Sequence, residues 1–87
     1  RLNMNDSKKV TIVRAGGTAS VEVDIFPTDK DIGQFCTVVA PHLGLPANGS
    51  YQLLGPDGNP IQGDLYKAVR QGDKLTLAQL GQGGYNI

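Results

Sequence analysis

The segment 18–25 alternates with a period of two, and this pattern most narrows what the chain can become. Ala19, Val21, Val23 and Ile25 are apolar, while Ser20, Glu22 and Asp24 between them are polar. Successive side chains of a strand point to opposite faces, so the pattern demands a sheet with one buried face and one in water. Gly16-Gly17 stands just before it. Ahead of that pair, 8–15 reads as a strand: Val10, Ile12 and Val13 are β-branched, and Val10 and Ile12 share a face. Strand, Gly-Gly, strand predicts an antiparallel hairpin.

The apolar face of a hairpin needs a cover, and the next segment supplies one. Phe26-Pro27-Thr28-Asp29 leaves the sheet, because Pro27 has no N–H for a ladder. Asp31 is placed to cap a helix. Ile32, Phe35, Cys36, Val39 and Leu43 then recur with helical spacing and form a single apolar stripe. Gly33 weakens this helix by about 1 kcal/mol relative to Ala. Pro41 ends it near Val39 or Ala40, and Gly44 and Pro46 reinforce the stop.

Shorter elements follow. The segment 50–54 reads as a short strand, Pro56-Asp57-Gly58-Asn59 as a turn, and Pro60-Ile61 as the start of a brief edge strand. Asp64 can cap a helical turn carrying Leu65, Ala68 and Val69. Gln71-Gly72-Asp73 makes a turn into a last strand, 74–78, on which Leu75 and Leu77 point one way. One amphipathic helix over one sheet is an α+β two-layer domain. The order hairpin, helix, short strands, helical turn, final strand is that of the β-grasp. The expected fold is a mixed sheet of four to five strands packed on one helix, with a flexible C-terminal tail.

At 87 residues the chain holds one small domain, too small for a deep enclosed active site. Eight basic and eight acidic residues balance to zero net charge. The basic residues are scattered, and the tyrosines do not interleave with them, so no nucleic-acid surface is indicated. The longest apolar run, Val38-Val39-Ala40, is far too short to span a bilayer. A single cysteine, Cys36, allows no internal disulfide and favours a reducing compartment; a cytoplasmic location is expected. Cys36 lies on the helix stripe and reads as a small buried hydrophobe. His42, the only histidine, sits near the helix C-terminus and has no partner by sequence for base or metal chemistry. Asp29 and Asp31 read as capping groups rather than as a catalytic acid pair. No catalytic residue and no metal site is expected. Met4 reads as a natural start, with Arg1-Leu2-Asn3 an expression remnant. The expected layout is a disordered start at 1–7, a domain at 8–80 and a tail at 81–87.

The tail carries the functional signal. Gly83-Gly84 follows the last strand closely, and only Tyr85-Asn86-Ile87 comes after. Glycine lacks Cβ, so such a tail can thread a narrow cleft, and a glycyl carboxyl is unhindered for activation.

With these residues the chain resembles a ubiquitin-like protein across roughly 8–84. The resemblance rests on Val21-Glu22-Val23, the Pro27-Thr28-Asp29 exit, and the helix end Gly44-Leu45-Pro46. It continues through Tyr51-Gln52-Leu53-Leu54-Gly55, the stretch 64–69, the strand 72–77, and the diglycine itself. It implies a protein modifier that is not itself an enzyme. A peptidase would cut after Gly84 and remove Tyr85, Asn86 and Ile87. An E1-like enzyme would adenylate the Gly84 carboxyl with ATP, and the acyl group would pass through cysteine thioesters, on that enzyme and an E2-like one, to a target protein. Leu80, Gly81, Gln82, Gly83 and Gly84 would thread the activating enzyme and the peptidase. The chain would bind no cofactor, ATP being used by its partner, and would act as a monomer.

The resemblance is also informative where it breaks. Ubiquitin's docking face carries a β3 isoleucine and a β5 valine, and the matching positions read as Gln52 and Ala78. Gln52, Leu54 and Ala78 are therefore the candidate docking residues, and dedicated partners are implied. Leu80 and Gln82 stand where ubiquitin's tail has arginines. None of Lys8, Lys9, Lys30, Lys67 and Lys74 matches the principal chain-linkage lysine. These traits resemble the divergent ubiquitin-like modifiers of bacterial ubiquitination-like operons. Two alternatives share the fold: a sulfur carrier activated at its diglycine, and a non-conjugated interaction subunit.

Overall fold

The computed structural model describes residues 6–81 of the 87-residue chain. Strands β1 (Lys8–Arg14) and β2 (Ser20–Ile25) form the antiparallel hairpin, with Val10 opposite Val23 and Ile12 opposite Val21. Alternation decides the register: any one-residue slip would turn Val21, Val23 and Ile25 toward water.

Helix α1 (Ile32–Val39) begins where Asp31 accepts a hydrogen bond from the Gln34 N–H at 3.1 Å. It tightens into a 3-10 turn (Ala40–Leu43) at Pro41, which cannot donate to the α-helical ladder. Gly44 closes the element at φ 77°. The Leu45 N–H reaches the Ala40 carbonyl at 2.9 Å, and the Gly44 N–H reaches the Pro41 carbonyl at 3.1 Å. That pair of bonds is a Schellman stop, and Leu45 is buried beyond it.

Strand β3 (Tyr51–Leu54), the single helical turn α2 (Leu65–Ala68) and strand β4 (Lys74–Gln79) complete the chain. The sheet order is β2-β1-β4-β3. Strand β4 runs parallel to β1, with Ile12 opposite Leu75, and antiparallel to β3, with Leu53 opposite Leu77. A parallel neighbour requires a crossover, and the segment carrying α1, β3 and α2 provides it. The expected fifth strand is only a bridge between Leu54 and Pro60. Bonds from the Gly55 N–H to the Asn59 carbonyl and from the Ile61 N–H to the Leu53 carbonyl, both 2.8 Å, flank this bridge, and the pairing goes no further.

One core fills the space between the layers. Val10, Ile12 and Ile25 of the hairpin meet Cys36, Val39 and Leu43 of the helix, Leu53, Leu75 and Leu77 of β3 and β4, and Leu65 and Val69 around α2. Burying each leucine stabilises the fold by about 2–3 kcal/mol. Ile32 and Phe35, expected on the same stripe, are half-buried at its margin, and Ala68, expected with Leu65 and Val69, is exposed. No helix among the described residues is long and apolar enough to cross a membrane.

Candidate functional site

Two regions carry the residues singled out from the sequence: the exit of the chain from β4, and the face of the sheet turned away from α1. Strand β4 is paired with β1 as far as Leu77 and with β3 to its last residue, Gln79. The Leu80 N–H then donates to the Ser50 carbonyl at 2.8 Å. Leu80 is 45% exposed, and Gly81 takes φ 61°, a left-handed conformation suited to glycine. The tail therefore leaves from the middle of the sheet, anchored as far as Leu80. Gln82, Gly83 and Gly84, with Tyr85, Asn86 and Ile87, lie outside the described residues.

The outer face gathers the three candidate docking residues. Gln52 stands directly opposite Ala78, and Leu54 opposite Thr76. Leu53 and Leu77, the intervening pair, point into the core. Gln52, Leu54 and Ala78 are each half-buried, a shallow mixed surface leading to exposed Leu80.

The remaining polar groups have structural duties. The Asp29 carboxylate accepts the Phe26 N–H at 2.7 Å, where the chain leaves β2. Asp64 caps α2 by accepting the Lys67 N–H at 3.2 Å. The Asp57 carboxyl lies below the usual carboxylate range because the Asn59 backbone and side chain donate to it within an exposed turn. Burial pushes the Cys36 thiol up to about 11, so it stays protonated and is a poor nucleophile at neutral pH. His42 is exposed on the 3-10 turn. Among the described residues no three His, Cys, Asp or Glu side chains gather to hold a metal ion.

The sequence does not reveal what becomes of Lys8. Its ammonium donates to the carbonyls of Tyr66 and Val69, at 2.7 and 3.0 Å, and stands 4.0 Å over the Tyr66 ring. Lysine at the head of a strand signals nothing of a partner 58 residues away.

No family model matches this chain, and no curated protein matches it either. Among solved structures, it is similar to ubiquitin of Caldiarchaeum subterraneum. The two share 27% identity and a TM-score of 0.64, over 90% of this chain and 99% of that one. The fold is the ubiquitin-like β-grasp. The ubiquitin-like domain of Plasmodium falciparum Dsk2 is also similar, with TM-score 0.61 and 18% identity over 84% of this chain and 97% of that one. The ubiquitin-like domain of EccD5 from Mycobacterium xenopi matches at TM-score 0.48 and 21% identity, over 85% of this chain and 94% of that one. In this chain the outer sheet face at Ala78 and the exit of the chain at Leu80 are two residues apart.

Proposed function

We propose that this chain is a ubiquitin-like protein modifier, a substrate of conjugating enzymes and not a catalyst. The observation that carries this reading is the exit of the chain. Strand β4 is held centrally in the sheet, Leu80 emerges exposed, and Gly83-Gly84 follows in sequence after Gly81-Gln82. Similarity to an archaeal ubiquitin over nine-tenths of the chain adds support.

In this reading a peptidase hydrolyses the Gly84–Tyr85 bond. Water supplies the new Gly84 carboxylate and the new amine of Tyr85-Asn86-Ile87. On an E1-like enzyme the carboxylate attacks the α-phosphorus of ATP, and pyrophosphate leaves. A cysteine thiolate of that enzyme displaces AMP to give a thioester. A cysteine of an E2-like enzyme takes over the acyl group, and a nucleophile of the target displaces that thiolate. Gln52, Leu54 and Ala78 form the docking surface. A glutamine and an alanine at its centre favour dedicated partners, as in the modifiers of bacterial ubiquitination-like operons. The chain acts as a cytoplasmic monomer.

The test is the intact mass of the protein expressed with its neighbouring genes, alongside Gly84→Arg. Loss of the Tyr85-Asn86-Ile87 mass and new higher-mass adducts are expected, both absent in the variant. A thiocarboxylate in place of the carboxylate would assign the chain to sulfur transfer. An unmodified chain in both samples would leave a non-conjugated interaction subunit.

A further inference from the structure

Asn48 and Gly49 stand together on the turn that leads into β3, and different causes hold them there. A Cβ on Gly49 would lie 2.7 Å from the Tyr51 Oη and 3.1 Å from the Gln79 Nε2, so packing admits only glycine. Asn48 is exposed. Asparagine serves turns through a left-handed backbone or a side-chain bond to a neighbour. Among the described residues only glycines take a positive φ, and no hydrogen bond engages the Asn48 side chain. Asn59, by contrast, donates to the Asp57 carboxylate at 3.1 Å.

The pair has a chemistry of its own. The side-chain carbonyl carbon of an asparagine can close a five-membered ring with the next amide nitrogen. A Cβ on the next residue would hinder that approach, and glycine has none. The nitrogen must first give up its hydrogen bond. The Gly49 N–H donates to the Pro46 carbonyl at 3.4 Å, longer than the usual range of about 2.7–3.2 Å. Little therefore holds it.

Comparable positions are closed. Asn48 is the only asparagine in the sequence followed by glycine. Asn59 precedes Pro60, which has no N–H to react. Asp57-Gly58 has the same spacing, but the Gly58 N–H is committed to the Gly55 carbonyl at 2.9 Å. The Asp57 carboxyl is also kept ionised by its bonds from Asn59, and a carboxylate resists attack.

The turn is clamped at both ends. The Tyr51 hydroxyl donates to the Pro46 carbonyl, and the Ser50 carbonyl accepts the Leu80 N–H at 2.8 Å. We propose that Asn48-Gly49 is a self-modification site, where the chain converts its own asparagine to β-linked aspartate without an enzyme, and that the longer backbone releases Leu80 from Ser50. The Gly49 nitrogen loses its proton to hydroxide and bonds to the Asn48 Cγ. The Cγ–Nδ2 bond breaks, Nδ2 takes a proton from water, and ammonia leaves a succinimide. Water then opens the ring. Cleavage between nitrogen and the Asn48 main-chain carbonyl carbon gives β-linked aspartate; cleavage between nitrogen and Cγ gives ordinary aspartate. One water is consumed and one ammonia released. The β-linkage adds one carbon to the main chain, about 1.5 Å of path. Gly49 cannot yield toward Tyr51 and Gln79, so Ser50 moves and its bond to Leu80 is lost. This holds whether or not the chain is conjugated.

The test incubates the full chain at neutral and mildly alkaline pH beside the acetylated peptide Pro-Ala-Asn-Gly-Ser-Tyr. An isoaspartate-specific methyltransferase counts the product after peptide mapping. Residue 48 should convert faster as pH rises, at a rate within about tenfold of the peptide, since one weak bond separates the two. Asn48→Gln, which would need a six-membered ring, should keep the melting transition and stop the conversion. In the converted protein the Leu80 amide should exchange hydrogen about five- to tenfold faster, the loss of one bond. Asn48→Asp brings the charge without the extra carbon and should leave that exchange unchanged. Conversion slower than the stated range, or unaffected by Asn48→Gln, would overturn the site. Unchanged Leu80 exchange after conversion, or equal acceleration in Asn48→Asp, would overturn the release.

Discussion

The ammonium of Lys8 stands 4.0 Å above the ring of Tyr66 and donates to the Tyr66 carbonyl, while the Tyr66 hydroxyl donates back to the Asp6 carbonyl. The start of β1 and the turn α2 are thereby tied in both directions. The Val69 carbonyl, just past the end of α2, takes a further bond from the same ammonium. This helical turn is too short to hold itself together, since a lone turn fixes several dihedrals for one bond. Lys8 supplies part of the missing constraint, beside the Asp64 cap and the bonds from the Leu65 and Tyr66 N–H groups to the Lys30 and Asp29 carbonyls.

Lys8→Met keeps the aliphatic stem and removes the donors. It should lower stability by about 1–3 kcal/mol, the range for charge-assisted bonds to carbonyls. Urea unfolding measures this. Acetylation of the native protein followed by peptide mass mapping should label Lys8 last, after exposed Lys30, Lys67 and Lys74. Equal labelling of all four would show that the tie does not persist in solution.

Neighbouring residues of β4 should respond very differently. Leu75 is fully buried, and Thr76 is on the outer face, half-buried opposite Leu54. Leu75→Ala should cost about 2–5 kcal/mol, and Thr76→Ala about 1 kcal/mol or less. Paired denaturation curves would read out the pleat of the central strand.

Gly44 closes the helix with φ 77°, and a Cβ there would meet the Arg14 guanidinium at 3.2 Å. That guanidinium donates to the Leu43 carbonyl at 3.2 Å. Gly44→Ala should therefore cost about 1–2 kcal/mol through the left-handed backbone. Thermal unfolding checks this, with Gly33→Ala as the opposite control. Gly33 lies in the first turn of α1 without positive φ, so alanine should stabilise by roughly 0.5 kcal/mol.

Cys36 provides a pH signature. Its thiol is raised from 9.0 to about 11 by burial, so the folded state holds its proton where the unfolded state has lost it. Stability from this group is complete below pH 9 and declines as pH rises from 9 toward 11. The loss should be absent in Cys36→Ala. At neutral pH a thiol reagent should modify the native protein only as fast as it opens.

What could be read beforehand follows a physical division. The hairpin was legible because every residue of β2 repeats the same in-or-out decision. The helix was legible because a short polar side chain at Asp31 and a proline at 41 each act on their own backbone neighbours. The expected brief strand at Pro60 and Ile61 is only a bridge to Leu54, with one flanking bond on each side, because the chain turns away directly after Ile61. Gln52 and Leu54 share a face by alternation, yet their place beside Ala78 depends on strand order, which no local pattern encodes. The tie between Lys8 and Tyr66 was invisible for the same reason. The diglycine is a sequence feature throughout, lying beyond the described residues.

Strands β1 and β4 lie side by side and parallel, one opening the domain and the other closing it. A pull on the two ends would drag these strands past each other along their length. Every bond between them would carry the load at once, instead of opening one by one as in a zipper. The molecule is built to resist force applied through its ends, and a protease that unfolds substrates by traction on the tail would meet its stiffest direction first.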